Sequence, residues 1–207
     1  LRRWFYRLGG SSPFRRESEM VRRLLKIGVK VPRAVACTVR PRGKSEILIT
    51  ELIAGAVPLR DLLWLGDTVL RDREELGALF TRVGSWLRSI HDLGVWQRDM
   101  KPSNVLVRGV GSRAPELFLV DITAVRLRGR PLSETRRIRN LAQLLDLTSD
   151  LDGPPRLPLL RAYIGQDTPA IDRWSRFVSA AIEGRRDYRE RQCGCRYVDE
   201  EHARNAR

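Results

Sequence analysis

Apolar residues recur along this chain with two different spacings, and the switches between them mark out its elements. Residues 14–27 follow a helical period. The run opens on Ser12-Pro13, a hydroxyl cap followed by proline at the first helical position, and ends at Gly28. Residues 34–40 and 45–53 are β-rich runs joined by Pro41-Arg42-Gly43, a turn-forming cluster that predicts a hairpin. A short helix is expected near residues 59–65. Over residues 70–93, Leu76, Leu79, Phe80, Val83, Leu87 and Ile90 fall on one stripe of the longest helix, which stops at Gly94. A loop follows, then two short apolar strands over 105–107 and 117–120, then helices over 134–147, 157–164 and 169–183. From Arg185 the chain is mostly charged, which predicts a poorly ordered tail. This order of elements predicts an α+β fold, and no internal repeat is visible.

A chain of 207 residues fits one domain, or two lobes sharing a cleft, and can bury a sizeable core. No stretch approaches the roughly 18 to 20 apolar residues of a membrane span, so a soluble protein is expected. The opening LRRWFYRL lacks the apolar core and cleavage site of a signal peptide, and it begins on Leu1; the expectation is a start inside a longer protein. Trp4, Phe5 and Tyr6 suit a strand or lobe edge as well as a membrane surface. The net charge is +14, carried almost wholly by arginine, since only Lys26, Lys30, Lys44 and Lys101 are lysines. This skew is read equally as a compositional bias of the coding sequence or as attraction to an anionic partner. Cys37 stands alone. Cys193 and Cys195 form a C-x-C pair which, with His202, lacks a fourth metal ligand, so a reducing, cytosolic setting is the simplest inference.

Chemistry concentrates in Gln97-Arg98-Asp99-Met100-Lys101-Pro102-Ser103-Asn104, which runs into the strand VLV. Phosphoryl transfer needs a carboxylate to orient the attacking hydroxyl and oxygen ligands to hold magnesium against the nucleotide phosphates. Asp99 and Asn104 lie close enough in one loop to face one cleft. Asp121 ends the second strand, where a hard cation would sit. His91, closing the long helix, is read as a packed helix-terminal residue rather than a base.

The block resembles the protein-kinase catalytic loop H-R-D-L-x-x-x-N and the later D-F-G. That resemblance makes Asp99 the base, Lys101 the contact to the transferred phosphate, Asn104 and Asp121 the Mg2+ ligands, and Arg98 structural. It puts Glu17 at the place of the C-helix glutamate and residues 49–53 at the hinge, where backbone groups of Glu51 and Ile53 would bind the adenine of ATP. Only a dozen residues separate Asp121 from the helix near Glu134, and no Ala-Pro-Glu follows. A small-molecule or glycolipid acceptor is therefore favoured over a polypeptide. SSPFRRESEMVRRLLKIGVKVPRAVA, LITELIAGAVPLRDLL, HDLGVWQRDMKPSNVLV and FLVDITAVRLRGRPLSETRRIRNLAQLL together resemble the lipopolysaccharide kinase family, the Kdo/WaaP and InaA group, over roughly residues 10–165. In that family an Arg-rich stretch leads into an Asn-Leu-x-x-Leu helix, as Arg136, Arg137, Arg139, Asn140 and Leu141 do here.

The resemblance implies a protein-kinase-like fold, with a partial N-lobe over 1–53 (C-helix and hairpin), a mostly helical C-lobe over 54–184, and a tail over 185–207. It implies an ATP- and Mg2+-dependent enzyme that phosphorylates Kdo or heptose in the lipopolysaccharide inner core. Its place would be the cytoplasm, at the inner face of the inner membrane, in peripheral contact with an anionic surface and with no nucleic acid as partner. Three departures stand out. Gln97 replaces the loop histidine, which predicts a less rigid loop; Ile122-Thr123 replace Phe-Gly; and no glycine-rich loop or third-strand lysine precedes Glu17. The last predicts that residues 1–207 alone bind nucleotide poorly and turn over little. A protein kinase and a pseudokinase or regulatory module are the other readings; the joint presence of Asp99, Lys101, Asn104 and Asp121 favours the enzyme.

Overall fold

The computed structural model describes residues 13–39, 46–64, 73–112, 114–146 and 156–193. The Pro41-Arg42-Gly43 turn, the Trp4-Phe5-Tyr6 run, Cys195 and His202 lie outside them. Helix α1 (Pro13–Lys26) buries Val21 and Leu24 and turns its arginines outward, as its amphipathic spacing requires. The antiparallel hairpin β1 (Ala34–Val39) and β2 (Glu46–Thr50) follows, with a register shift between Ala34 and Ala36. Next come β3 (Ala56–Pro58), α2 (Leu59–Trp64) and the long α3 (Arg73–Asp92). The chain continues through β4 (Val95–Gln97), β5 (Val105–Arg108), β6 (Glu116–Leu119) and β7 (Val125–Leu127). It closes with α4 (Glu134–Leu145), α5 (Arg156–Ile164) and α6 (Thr168–Cys193). Mixed helices and small antiparallel sheets make this an α+β fold.

Helix α3 is the spine. Its predicted stripe is buried at Leu79, Phe80, Val83, Leu87 and Ile90, and it packs most extensively on α5, while α6 covers α4. The α3–α5 approach is close because Gly84 lacks a side chain: a Cβ there would lie 2.3 Å from the Leu159 carbonyl oxygen, a backbone atom that cannot step aside. Gly84→Ala is thus expected to lower stability by about 1–3 kcal/mol despite alanine's better helix propensity. A urea-unfolding midpoint equal to wild type would refute this close packing.

Three strands escaped the sequence pattern. β3 joins the predicted pair to give the sheet order β3-β5-β6, and β4 pairs with β7, with Trp96 opposite Arg126. Each of the three has only three residues, too few to display an alternation. The tail boundary at Arg185 also needs correction, because α6 runs on to Cys193. Arg185 and Arg186 reach Asp146, itself 5% exposed at the end of α4, so tertiary pairing extends a helix whose composition reads as solvent-loving. Among the described residues no helix is long and apolar enough to cross a membrane.

Candidate active site

The hairpin of β5 and β6 pairs Val105 with Leu119, so the residues just outside it, Asn104 and Val120, are neighbours as well: Val120 donates its N–H to the Asn104 carbonyl at 3.0 Å. The catalytic-loop asparagine and the strand-end Asp121 are thereby brought together across one ladder. The Asn104 side chain is buried and its amide nitrogen donates to the Asp99 carbonyl at 2.8 Å, which fixes the loop and leaves Oδ1 as its free acceptor. The Asp99 carboxylate is half-exposed and pairs with Lys101 Nζ at 2.9 Å.

Asp121 is the one non-glycine with positive φ among the described residues (φ 55, ψ 59). Aspartate tolerates this left-handed conformation, and surrounding bonds hold it there. Thr123 donates its hydroxyl to Asp121 Oδ1 at 2.6 Å, so one carboxylate oxygen is oriented and the other left open. Gln97 supplies the rest. Its fully buried side chain donates from Nε2 to the carbonyls of Val120 (3.2 Å) and Asp121 (3.0 Å) and accepts the Asp99 N–H on Oε1 at 3.3 Å. Glutamine in the place of the histidine thus ties the backbone of both acidic residues through one amide.

Helix α1 lies over this assembly. The Lys30 carbonyl accepts the Leu119 N–H at 2.9 Å, which docks the segment after α1 on β6. Glu17 then faces Asp121. Its carboxyl is held above the usual range, first by burial and then by the negative charge of Asp121. A cleft of about 760 Å³ runs between α1 and the segment after Asp121, lined by Glu17, Met20, Ile122, Thr123 and Arg126 but not by Asp99, Asn104 or Asp121. The open oxygens of Asn104 and Asp121 are hard donors of the kind Mg2+ takes alongside water and phosphate oxygens. Among the described residues no group of three or more His, Cys, Asp or Glu could hold a metal ion.

At the expected hinge, the Glu51 N–H donates to the Arg33 carbonyl and the Ile53 carbonyl accepts the Ala56 N–H. The Glu51 side chain is occupied by Arg33. The Glu51 carbonyl, both backbone groups of Leu52 and the Ile53 N–H make no hydrogen bond among the described residues.

Behind the loop lies a buried polar network. His91, Asn140 and Gln143 are all buried. Desolvation lowers the His91 pKa to about 3, so the ring is neutral and its two nitrogens divide the roles. Nε2 donates to Asn140 Oδ1 (3.1 Å), and Nδ1 accepts from the Tyr163 hydroxyl (2.7 Å), whose own pKa burial raises to about 12. Asn140 Nδ2 donates to the Gln97 carbonyl (2.6 Å) and to Gln143 Oε1 (3.0 Å). Gln143 in turn donates to the Arg98 carbonyl (2.8 Å) and accepts the Met100 N–H (3.1 Å). Three consecutive stretches of loop backbone are therefore held from α4. Gln143 was overlooked in the sequence; polar residues on the buried stripe of a helix, where Leu141, Leu144 and Leu145 are core, were the available signal.

A loop carboxylate, a loop asparagine and a strand-end aspartate at the mouth of one hairpin are the residue types that phosphoryl transfer uses. The family model described as the lipopolysaccharide kinase (Kdo/WaaP) family matches residues 1–163, and this chain belongs to that family. A kinase family implies ATP as phosphoryl donor with a divalent metal beside it. Among solved structures, "WaaP in complex with acyl carrier protein" is similar in fold, with a TM-score of 0.65 at 23% identity, covering 81% of this chain and 72% of that one. A search of curated protein sequences gives no match.

Proposed function

We propose that this chain catalyses ATP-dependent phosphorylation of a sugar hydroxyl, on Kdo or heptose, in the inner core of lipopolysaccharide, at the cytoplasmic face of the inner membrane. The convergence of Asp99, Asn104 and Asp121 carries the reading. In it Asp99 orients the acceptor hydroxyl and takes its proton as the oxygen bonds to the γ-phosphorus and the bond to the β–γ bridging oxygen breaks, releasing ADP. Lys101, already within 2.9 Å of Asp99, contacts the transferred phosphoryl group. Asn104 and Asp121 would hold Mg2+, which neutralises phosphate charge when bound. Glu17 borders the nucleotide side, and the free Glu51 carbonyl and Ile53 N–H are suited to the adenine edge.

The segment after Asp121 favours a non-protein acceptor. It enters a single turn and then β7, which is tied to β4, and Leu132 N–H is bonded to the His91 carbonyl at 3.0 Å. A chain pinned so soon offers no long docking segment for a polypeptide. The test is transfer of labelled phosphate from ATP to purified inner-core lipopolysaccharide by protein carrying this chain; label appearing in protein substrates and not in the glycolipid would overturn the reading.

A partner of the acyl-carrier type, as in the WaaP complex, is a second reading. It is favoured by a groove of about 690 Å³ between α4 and α6, lined by Ile138, Ala142, the exposed Phe177 and Ala181 and edged by Arg139 and Arg185. Co-elution with acyl carrier protein, abolished by Phe177→Asp, is the outcome that reading requires.

A further inference from the structure

The ribbon of β4 and β7 has two unlike faces. Val95, Gln97 and Val125 point into the protein, whereas the cross-strand pair Trp96 and Arg126 points outward, followed on the same face by Arg98 and Arg128. Arg128, leaving β7, and Arg136, in the first turn of α4, each place a guanidinium carbon 5.0 Å from the centre of the Trp96 ring. Among the described residues Arg98, Arg126, Arg128 and Arg136 form no ion pair with a carboxylate, although the adjacent Arg137 is paired with Asp92 at 2.6 Å. Arg136 also stands at the positive end of α4, where a cation is disfavoured. Arg98 and Arg126 donate to the carbonyls of Ala124, Thr123 and Val125, and Arg128 and Arg136 are the two that meet on the Trp96 ring.

The tryptophan sharpens this. Its Nε1–H is buried without an acceptor among the described residues, a cost that phenylalanine would avoid. What the indole adds is the strongest cation–π surface of any side chain. A guanidinium resting on a ring keeps N–H edges that match a carboxylate or phosphate two bonds at a time.

Trp96 and Arg98 lead along β4 into Asp99, so this face is continuous with the loop where the acceptor hydroxyl is oriented, with Arg128 at its far end opposite Gly94. We propose that Arg128 and Arg136, held by Trp96, bind an anionic substituent of the acceptor sugar, a carboxylate or a phosphate, and so position its hydroxyl at Asp99. This rests on the glycolipid-kinase reading above and names the part of the acceptor that is recognised. An anionic membrane surface would draw on charge alone and would not need two arginines fixed on one ring.

The test is steady-state kinetics on protein carrying this chain, with ATP and purified inner-core lipopolysaccharide, comparing wild type with the Arg128→Gln/Arg136→Gln double variant. The expected result is a rise of about tenfold or more in the KM for the acceptor, with the KM for ATP and the melting temperature unchanged. Dephosphorylated or carboxyl-esterified lipopolysaccharide should raise the wild-type KM by a similar factor and leave the variant nearly indifferent; whichever treatment does so identifies the group. Trp96→Phe should give an intermediate KM. An acceptor KM in the double variant equal to wild type overturns the proposal. So does a loss that instead follows weakened binding to vesicles of phosphatidylglycerol and phosphatidylcholine, which would assign the arginines to the membrane. Wild-type protein that transfers no phosphate to lipopolysaccharide sinks the acceptor reading itself, an outcome distinct from transfer with an unmoved KM.

Discussion

Asp99→Asn is expected to lower phosphate transfer by about 10²- to 10⁴-fold, the range that a positioned proton acceptor contributes, with the fold retained. Asparagine is nearly isosteric, and the contacts that hold this loop run through the Asp99 N–H and carbonyl, not its carboxylate. The backbone anchors from Gln97 and Asn104 therefore survive the change. Only the half-exposed pair with Lys101 is lost, and pairs of that exposure contribute little stability. Turnover and unfolding midpoint should separate cleanly: transfer nearly abolished, midpoint within a few tenths of a molar urea of wild type. Undiminished transfer would remove Asp99 from its role. A collapse of the midpoint would show instead that the carboxylate holds the fold.

A second large effect should appear on acidification. His91 titrates near 6.5 when unfolded and near 3 when folded, because burial disfavours the imidazolium. The unfolded chain binds the extra proton, so stability is complete above about pH 6.5 and falls as the pH drops toward the folded value. One proton gives at most about 1.4 kcal/mol per pH unit, or roughly 2–3 kcal/mol between pH 6.5 and pH 4.5. The groups around the ring are Tyr163, Asn140, Arg137 and Asp92; Arg137 adds to the depression and Asp92 opposes it. Glu51 and Glu116, exposed and held below the usual carboxylate range by Arg33 and by Lys30 with Arg108, weaken folding only at lower pH. Glu17, held above that range, gains stability from protonation, with the opposite sign. Urea unfolding from pH 7.5 to 4.5 measures the slope, and His91→Gln should flatten it between pH 6.5 and 5 while lowering stability at neutral pH. A wild-type curve flat over that interval would show that the histidine is not kept neutral. Because the folded ring stays neutral over this interval, the loop held through Asn140 keeps its geometry, and transfer activity should follow only the folded fraction.

The contrast between these two residues shows what the chain's order of residues makes legible. The placement of Asn104 beside Asp99 and Val120 follows from local spacing: the loop and the following hairpin make these contacts inside one stretch of chain. The stripe of α3 was legible for a similar reason, since its period states which face is buried. His91 could be read as packed, but its partners come from α4 and α5, and a period names no partner.

Residue order by itself determined the family and the types of the longer elements. Tertiary structure alone decided that Gln97 braces Asp121, that α6 runs past its charged composition to meet Asp146, that three-residue strands pair, and that Arg128 and Arg136 meet on Trp96. Those outcomes depend on groups far apart in the chain, whose hydrogen bonds and stacking become favourable only once burial has removed the competing water.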